Sequence, residues 1–285
     1  MTKDKPQPER AERALFSPGQ RQQVLDRVLA ALETDERIAG VLVVGSDAVG
    51  FDDRYSDIDL SVVIAAEDQV LLAFREWRSR IERLLPVIHC LEAIYGPNNY
   101  LHGFLLEGFL EVDIGFVSFA NLVARRERWK LAFDRSGKIE GIMQSSWQNR
   151  PQRDLRAGYF RRLDSVWHYI THVVIALKRN QPWKAMNYLE VIRNRTIELA
   201  GLRLGLDTGH FRQVDQMPAE FLSDLQKALI SSTDHADILR ALKMAAACFF
   251  REAQALDEML GLNTARPLAA QIQHYLDLSE RGQDP

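Results

Sequence analysis

The apolar positions of the first half of the chain change between helical and strand spacing. After a polar segment of about 15 residues, Ser17 can cap a helix and Pro18 fits its first position. Apolar residues then recur at helical spacing to about residue 34. Short β-branched apolar runs at 38–44 and 58–65 follow. They predict two buried strands after one amphipathic helix.

The same alternation continues to about residue 120. Residues 68–85 place their apolar side chains on one helical face. Residues 87–95 and 109–117 have the composition of strands, and a turn-rich loop at 96–99 and a short apolar piece around Phe104 separate them. The predicted order is therefore helix, strand, strand, helix, strand, strand, which is typical of a small α/β sheet domain.

From about Pro151 the periodicity is helical almost throughout. Asp234 is a candidate N-cap and Gly261 a candidate C′ glycine for one of these helices. The predicted helices cover residues 153–179, 183–201, 218–231, 234–260 and 266–280.

These patterns predict an α+β fold, with a small mixed sheet flanked by helices and followed by a C-terminal helical bundle. We expect a flexible N-terminus over residues 1–15, a sheet domain over 16–145 and a helical domain over 146–285 that binds substrate or nucleotide.

The charge balance narrows the possible partners. The 285 residues include 36 Lys and Arg against 39 Asp and Glu, a formal net charge of −3. A bulk positive field for polyanions is therefore excluded. Cys90 and Cys248 have no metal-ligand spacing, and no apolar stretch has the length of a membrane span. We expect two free thiols, no membrane association and a cytoplasmic location.

Two aspartates carry the first candidate chemistry. Because side chains alternate along a strand, Asp57 and Asp59 should project from one face while Ile58 and Leu60 point into the core. Two close carboxylates repel unless a cation lies between them, and Mg²⁺ prefers such oxygen ligands. A calcium loop is excluded, because Val62 occupies the position that needs glycine.

A third carboxylate and a turn add to this site. Asp113 lies within an apolar strand and shares a face with Glu111 and Gly115, where its burial is costly without a partner. Gly45 and Ser46, at the end of the first strand, place backbone amides and a hydroxyl where phosphate oxygens could bind.

Together these residues resemble the nucleotidyltransferase superfamily that includes DNA polymerase β, and within it the adenylyltransferases of aminoglycosides and lincosamides. The resemblance is carried by Gly45-Ser46, the ten residues that follow, the Asp-x-Asp motif at 57–59 and Asp113 on a later strand. Residues 128–137 resemble the strand and turn that close the catalytic domain in that family. The resemblance covers about residues 15–140, and the helical remainder is similar in layout.

The resemblance implies attack of a hydroxyl on the α-phosphorus of ATP or another NTP, with two Mg²⁺ ions and release of pyrophosphate. Asp57 and Asp59 would bridge the ions, and Asp113 would hold the ion nearest the nucleophile. Ser46 and the adjacent amides would bind the β- and γ-phosphates. Glu92 lies where some family members carry a catalytic glutamate, so it is the candidate general base.

The phosphate loop departs from the family pattern. Asp47 follows the Gly-Ser pair, where relatives carry a neutral or basic residue, and Asp52 and Asp53 add further negative charge. Lys178 and Lys184 of the helical half are candidate cations for the phosphates.

Two further patterns have ordinary explanations. Arg162 and His168 loosely resemble the spacing of helical RNase toxins, but such spacing often arises by chance. The basic run at 125–128 is interpreted as a solvated helix end.

The sequence thus predicts a Mg²⁺-dependent nucleotidyltransferase, monomer or homodimer, that transfers AMP to a small hydroxylated molecule. Two alternatives stay open: transfer to tRNA or protein, and a degenerate nucleotide-binding or partner-binding module. The near-neutral charge disfavours a nucleic-acid acceptor.

Overall fold

The computed structural model describes residues 16–45 and 56–281. The chain divides into two units, Met1–Pro151 and Gln152–Pro285. The domain boundary expected at 145/146 falls inside a helix of the first unit, Ile139–Gln148.

A six-stranded mixed sheet forms the framework of the first unit. Its strand order is β3-β4-β5-β2-β1-β6, with β2 and β5 parallel and all other neighbours antiparallel. The elements are α1 (Pro18–Glu33), β1 (Ile38–Val44), β2 (Ile58–Ile64), α2 (Val70–Leu84), β3 (Val87–Gly96), β4 (Asn99–Leu106), β5 (Glu111–Ser118), β6 (Lys130–Asp134) and α3 (Ile139–Gln148).

The predicted start of α1 is confirmed. The Ser17 hydroxyl accepts a hydrogen bond from the Gln20 amide, and the Gln20 side chain accepts one from the Ser17 amide, at 3.3 and 2.8 Å. This capping box satisfies backbone donors that the first turn cannot pair, and Pro18 occupies the first turn.

The short apolar piece around Phe104 is longer than the sequence predicts, because it belongs to a full strand, β4. A two-residue turn joins β3 to β4, and Gly96 pairs with Asn99 across it. His102 and Gly103 interrupt the apolar run, yet His102 is fully buried. It stacks on Phe74 of α2 with ring centroids 3.9 Å apart. A polar residue in the core thus concealed the strand pattern. Helix α3 also has no counterpart in the sequence-based prediction.

The two faces of the sheet are covered by different helices. On one face, alternate residues of β2 and β5 such as Ile58 and Ile114 form a core with α1 and α2. On the other face, Leu42 and Val63 pack with Ile139 of α3. Strand β1 is therefore buried on both faces, which explains its continuous apolar run.

A buried aspartate joins the turn before β1 to distant elements. Asp35 accepts hydrogen bonds from Arg37 and from the indole of Trp77, at 2.9 and 3.1 Å. The bond from Arg37 is the main cause that lowers the pKa of Asp35 to about 2. Arg135, just after β6, donates to the Asp35 carbonyl at 2.9 Å.

The second unit is helical, as predicted. Its helices are α4 (Leu155–Lys178), α5 (Pro182–Leu204), α6 (Ala219–Lys227), α7 (His235–Leu260) and α8 (Ala265–Glu280). The buried Tyr159 hydroxyl donates to Asp257 at 2.6 Å. The same carboxylate accepts the backbone amides of Thr264 and Ala265 at the start of α8. This network fixes the α7–α8 connection to α4.

Of the two predicted caps of α7, the one at the C-terminal end is confirmed. Gly261 ends the helix in the left-handed conformation, with a φ of 65°. Asp234 occupies the N-cap position, but its side chain makes no capping hydrogen bond to the helix. Asp237 in the first turn instead accepts the amides of Ser231 and Ser232. Over the part of the chain that is described, none of the helices has the length and apolar character needed to cross a membrane.

Candidate active site

Asp59 and Asp113 lie on the face of the sheet that also carries α3, and a third aspartate, Asp57, lies next to β2. Asp57 directly precedes β2, Asp59 lies on β2, and Asp113 lies on β5. Asp59 and Asp113 are register partners of the parallel pair, and Ile58 and Leu60 on either side of Asp59 are buried. The register brings Asp59 and Asp113 side by side on one face, and the charge of Asp57 acts on both.

Asp113 is the most constrained of the three carboxyl groups. Its Oδ1 atom is buried and has no hydrogen-bond partner among the described residues. Gly103 on the neighbouring strand leaves room for it, because a Cβ atom there would lie 3.0 Å from Oδ1. Burial, followed by the charges of Glu111 and Asp59, raises the pKa of Asp113 to about 7. A buried acceptor without a donor is a group that requires a proton or a cation.

The other two acids share this electrostatic strain. Burial is the main cause that raises the pKa of both Asp57 and Asp59, and the charge of Asp57 adds to the effect at Asp59. Arg21 on α1 lowers the pKa of Asp57, and Arg126 lowers that of Asp59, each by its positive charge. Despite these two positive charges, the pKa of each aspartate stays above its ordinary value.

Arg126 is a site residue that sequence reasoning missed. The run at 125–128 was predicted to be a helix end, and this prediction is wrong. The run is part of an irregular segment between β5 and β6. The long connection returns the chain to β1, and Arg126 is exposed along it. Its charge acts on Asp59 even though the two are far apart in sequence. The only available signal was the position of the run between two strands of one sheet.

Gly45 must be a glycine at this site. Its φ is 85°, and a Cβ atom built on it would lie 2.0 Å from Oδ2 of Asp59. The backbone at the end of β1 therefore approaches the carboxylate more closely than any side chain allows. Ser46, together with Asp47, Asp52 and Asp53, lies outside the described residues.

The structure does not bring Glu92 to the aspartates. Gly103 pairs with Asp113 on one side and with Leu91 on the other, so these three residues share a face. Glu92 follows Leu91 and therefore belongs to the opposite face. There its carboxylate accepts a hydrogen bond from Arg78 of α2 at 2.9 Å. The geometry gives no support to its predicted role as general base.

Comparison with known proteins identifies the family of the chain. The family model described as "Streptomycin adenylyltransferase" matches residues 19–278. The chain belongs to the streptomycin adenylyltransferase family. Its members are nucleotidyltransferases, so the predicted superfamily and enzyme class are confirmed. No curated protein matches the chain.

Two solved structures are similar to this family member. An aminoglycoside 6-adenyltransferase from Bacillus subtilis is 15% identical, with a TM-score of 0.44 over 91% of this chain and 98% of that chain. A nucleotidyltransferase-like protein from Exiguobacterium sibiricum 255-15 is 11% identical, with a TM-score of 0.40 over 84% of this chain and 78% of that one.

The carboxylates of this adenylyltransferase suit a hard cation in donor type. Asp113 offers a buried oxygen that has no hydrogen-bond donor among the described residues, and Asp59 lies beside it on the same face. Across the described residues, no three or more His, Cys, Asp or Glu side chains are grouped so that together they could hold a metal ion. Mg²⁺ does not need such a group, since it is usually held by one or two carboxylates together with substrate phosphates and water.

The two predicted cations of the helical unit lie at neighbouring helix ends. Lys178 is the last residue of α4, and Lys184 lies in the first turn of α5; both are exposed. Their contact with phosphates stays a prediction.

Proposed function

We propose that this adenylyltransferase transfers AMP from ATP to a hydroxyl group of a small molecule, with Mg²⁺, and releases pyrophosphate. The observation that supports this most directly is the buried Oδ1 of Asp113, which has no hydrogen-bond partner in the described part of the chain, on a residue in register with Asp59. Three crowded acids with raised pKa values are unfavourable in the free protein. A bound cation would relieve this repulsion.

Asp57, Asp59 and Asp113 are the residues that would hold the metal. When bound, Mg²⁺ supplies positive charge to the triphosphate and to the attacking and leaving oxygens. The side chains themselves fix where that charge can lie, since β2 and β5 are adjacent and in register. The backbone at Gly45 borders the Asp59 carboxylate, so the loop that follows is the proposed phosphate-binding segment.

The reaction also needs a proton acceptor. The oxygen of the acceptor forms a bond to the α-phosphorus, the bond to the β-phosphate oxygen breaks, and the hydroxyl proton must leave. Glu92 lies on the wrong face for this task. Asp113 is on the face of the metal site, but its pKa of about 7 belongs to the metal-free protein, and a bound cation would lower it. Asp113 is therefore proposed as a metal ligand only, and the hydroxyl proton would pass to solvent water.

Positive charge near the triphosphate comes from a short set of residues. Arg126 is exposed and its charge reaches Asp59, so it would offset the acidic surroundings of the nucleotide. Lys178 and Lys184 are proposed to do the same from the helical unit. The net charge of −3 supports a small acceptor over a polynucleotide, and the family name makes streptomycin the first acceptor to test. The free cysteines support a cytoplasmic location.

The test is a transfer assay with Mg²⁺ and each labelled NTP. The acceptors are streptomycin, other aminoglycosides, lincosamides, tRNA and a cell metabolite extract. We expect a small molecule to gain the mass of one nucleotide while pyrophosphate is released. The combined variant Asp57→Asn plus Asp59→Asn should abolish transfer, whereas Asp68→Asn, an exposed aspartate beyond β2, should not.

The alternatives have distinct outcomes. Label on tRNA or on the protein would replace the small acceptor. Absence of transfer together with absence of Mg²⁺-dependent NTP binding by calorimetry would leave a degenerate module. Transfer that survives the double substitution would refute the assigned metal ligands.

A further inference from the structure

Helix α4 carries two histidines one turn apart on the same face. The ring centroids of His168 and His172 are 4.0 Å apart. His168 is exposed and His172 is half-buried, so both rings are within reach of solvent. Both lie in the second unit, whereas the three aspartates lie in the first.

A backbone hydrogen bond fixes the tautomer of His172. Its Nδ1 lies 2.9 Å from the carbonyl oxygen of His168. A carbonyl can only accept, so Nδ1 carries the proton and donates it. The lone pair of His172 is therefore on Nε2, away from the helix backbone. In metal sites, such a bond to the second ring nitrogen is what orients a histidine ligand.

His168 is equally available as a ligand. Its ring contacts Trp167 and Tyr169 through their edges, with centroids 5.9 and 5.4 Å away. Its ring nitrogens have no hydrogen-bond partner within residues 16–45 and 56–281. Both imidazoles thus present a free lone pair on one face of a helix.

The neighbouring Arg162 does not share this surface function. Its side chain donates to Glu198 of α5 and to the carbonyl of Gly158, each at 2.8 Å. It therefore holds α4 against α5, and the spacing between Arg162 and His168 has no catalytic meaning here. His168, the other residue of that spacing, instead lies beside His172.

We propose that His168 and His172 form a binding site for a late divalent transition-metal ion, such as Cu²⁺, Ni²⁺ or Zn²⁺. Two imidazoles at positions i and i+4 of a helix can chelate one ion. Imidazole nitrogen suits these metals and does not suit Mg²⁺, so the two sites differ in the ions they select. Because the described residues form no group of three such ligands, water fills the remaining positions and the ion exchanges.

The test uses the full-length chain without an affinity tag. Cu²⁺ and Ni²⁺ are titrated by calorimetry, and the Cu²⁺ complex is examined by electron paramagnetic resonance for coupling to two nitrogen ligands. The variants are His168→Gln and His172→Gln, and the control is His274→Gln, an exposed histidine on α8 of the same unit. Circular dichroism confirms that each variant is folded.

We expect one site with two nitrogen ligands in the wild type and in His274→Gln. Each single α4 substitution should weaken it roughly 100-fold, because it removes one arm of the chelate. The site should persist in Asp57→Asn plus Asp59→Asn. Equal metal affinity in the wild type and both α4 variants would overturn the proposal, as would the absence of any nitrogen-ligated Cu²⁺ in the wild type.

Discussion

The carboxylate of Asp59 occupies the space that a side chain at Gly45 would need. Oδ2 of Asp59 would lie 2.0 Å from a Cβ atom on Gly45, whose φ is 85°. The end of β1 and the acidic face of β2 therefore fit together only with a glycine at this position. Gly45 and Asp59 are therefore structurally dependent on each other.

Gly45→Ala should consequently abolish nucleotidyl transfer while the protein still folds. The new methyl group must displace the Asp59 carboxylate, and the left-handed backbone adds about 1 kcal/mol of strain. Loss of Mg²⁺-dependent ATP binding, measured by calorimetry, is the expected result.

Gly137→Ala is the matched control for Gly45→Ala. Gly137 also has a left-handed φ, 65°, but nothing lies within 4 Å of its Cβ position. It should lose similar stability and keep its activity. If both variants lose activity equally, the contact with Asp59 has no special role.

Asp113→Asn should stabilise the metal-free protein at high pH. The folded-state pKa of Asp113, about 7, lies above its value of about 4 in an unfolded chain. The folded state therefore favours the protonated acid, and stability is lost as pH rises from about 4 through 7. The asparagine side chain has no such cost.

Thermal unfolding in the presence of EDTA measures this effect. The melting temperature of Asp113→Asn should exceed that of the wild type at pH 8, and the difference should shrink at pH 4.5. Glu107→Gln serves as a control, because Glu107 is exposed in the turn between β4 and β5 and is not among the charges that raise the pKa of Asp113. A gain of equal size at both pH values would contradict the assigned pKa. The stabilised variant should nevertheless be inactive.

Arg126→Ala should weaken ATP binding more than Arg125→Ala does. Arg126 lowers the pKa of Asp59 by its positive charge, and its neighbour Arg125 is likewise exposed and serves as the matched control. An exposed charge of this kind is worth up to about 1 kcal/mol, which is about fivefold in affinity. The difference between the variants should diminish at high salt, because exposed charges are screened. Equal affinities at low salt would remove Arg126 from the site.

Glu92→Gln should leave the rate of transfer within about twofold of the wild type. Its carboxylate faces α2 and pairs with Arg78 in a half-exposed ion pair, so the loss of stability should be at most about 1 kcal/mol. A fall in kcat of roughly 100-fold or more, the usual effect of losing a general base, would restore the original assignment.

The placement of the three aspartates could be predicted because strand alternation is local. Ile58 and Leu60 are apolar and buried, so the acids between and beside them must face the other way. The apolar runs of β1 and β2 and the capping box at Ser17 are equally local signals. These features required no knowledge of distant contacts.

The errors arose where a side chain's role depends on a partner far away in sequence. His102 looks like a break in a strand, and only the ring of Phe74 makes it a core residue. Once β4 is recognised between β3 and β5, the register shows that Glu92 and Asp113 lie on opposite faces. Arg126 likewise joins the site only through the path of the chain between β5 and β6.

The contacts of Arg135 determine when the sheet can fold during synthesis of the chain. Edge strand β6 and Arg135 close the sheet and the turn before β1, about one hundred residues back along the chain. The sheet therefore cannot form completely until β6 and Arg135 have left the ribosome. Every element that the sheet needs nevertheless precedes the helical unit. Because domains generally fold as units from the N-terminus, the nascent sheet can be complete before α4 emerges.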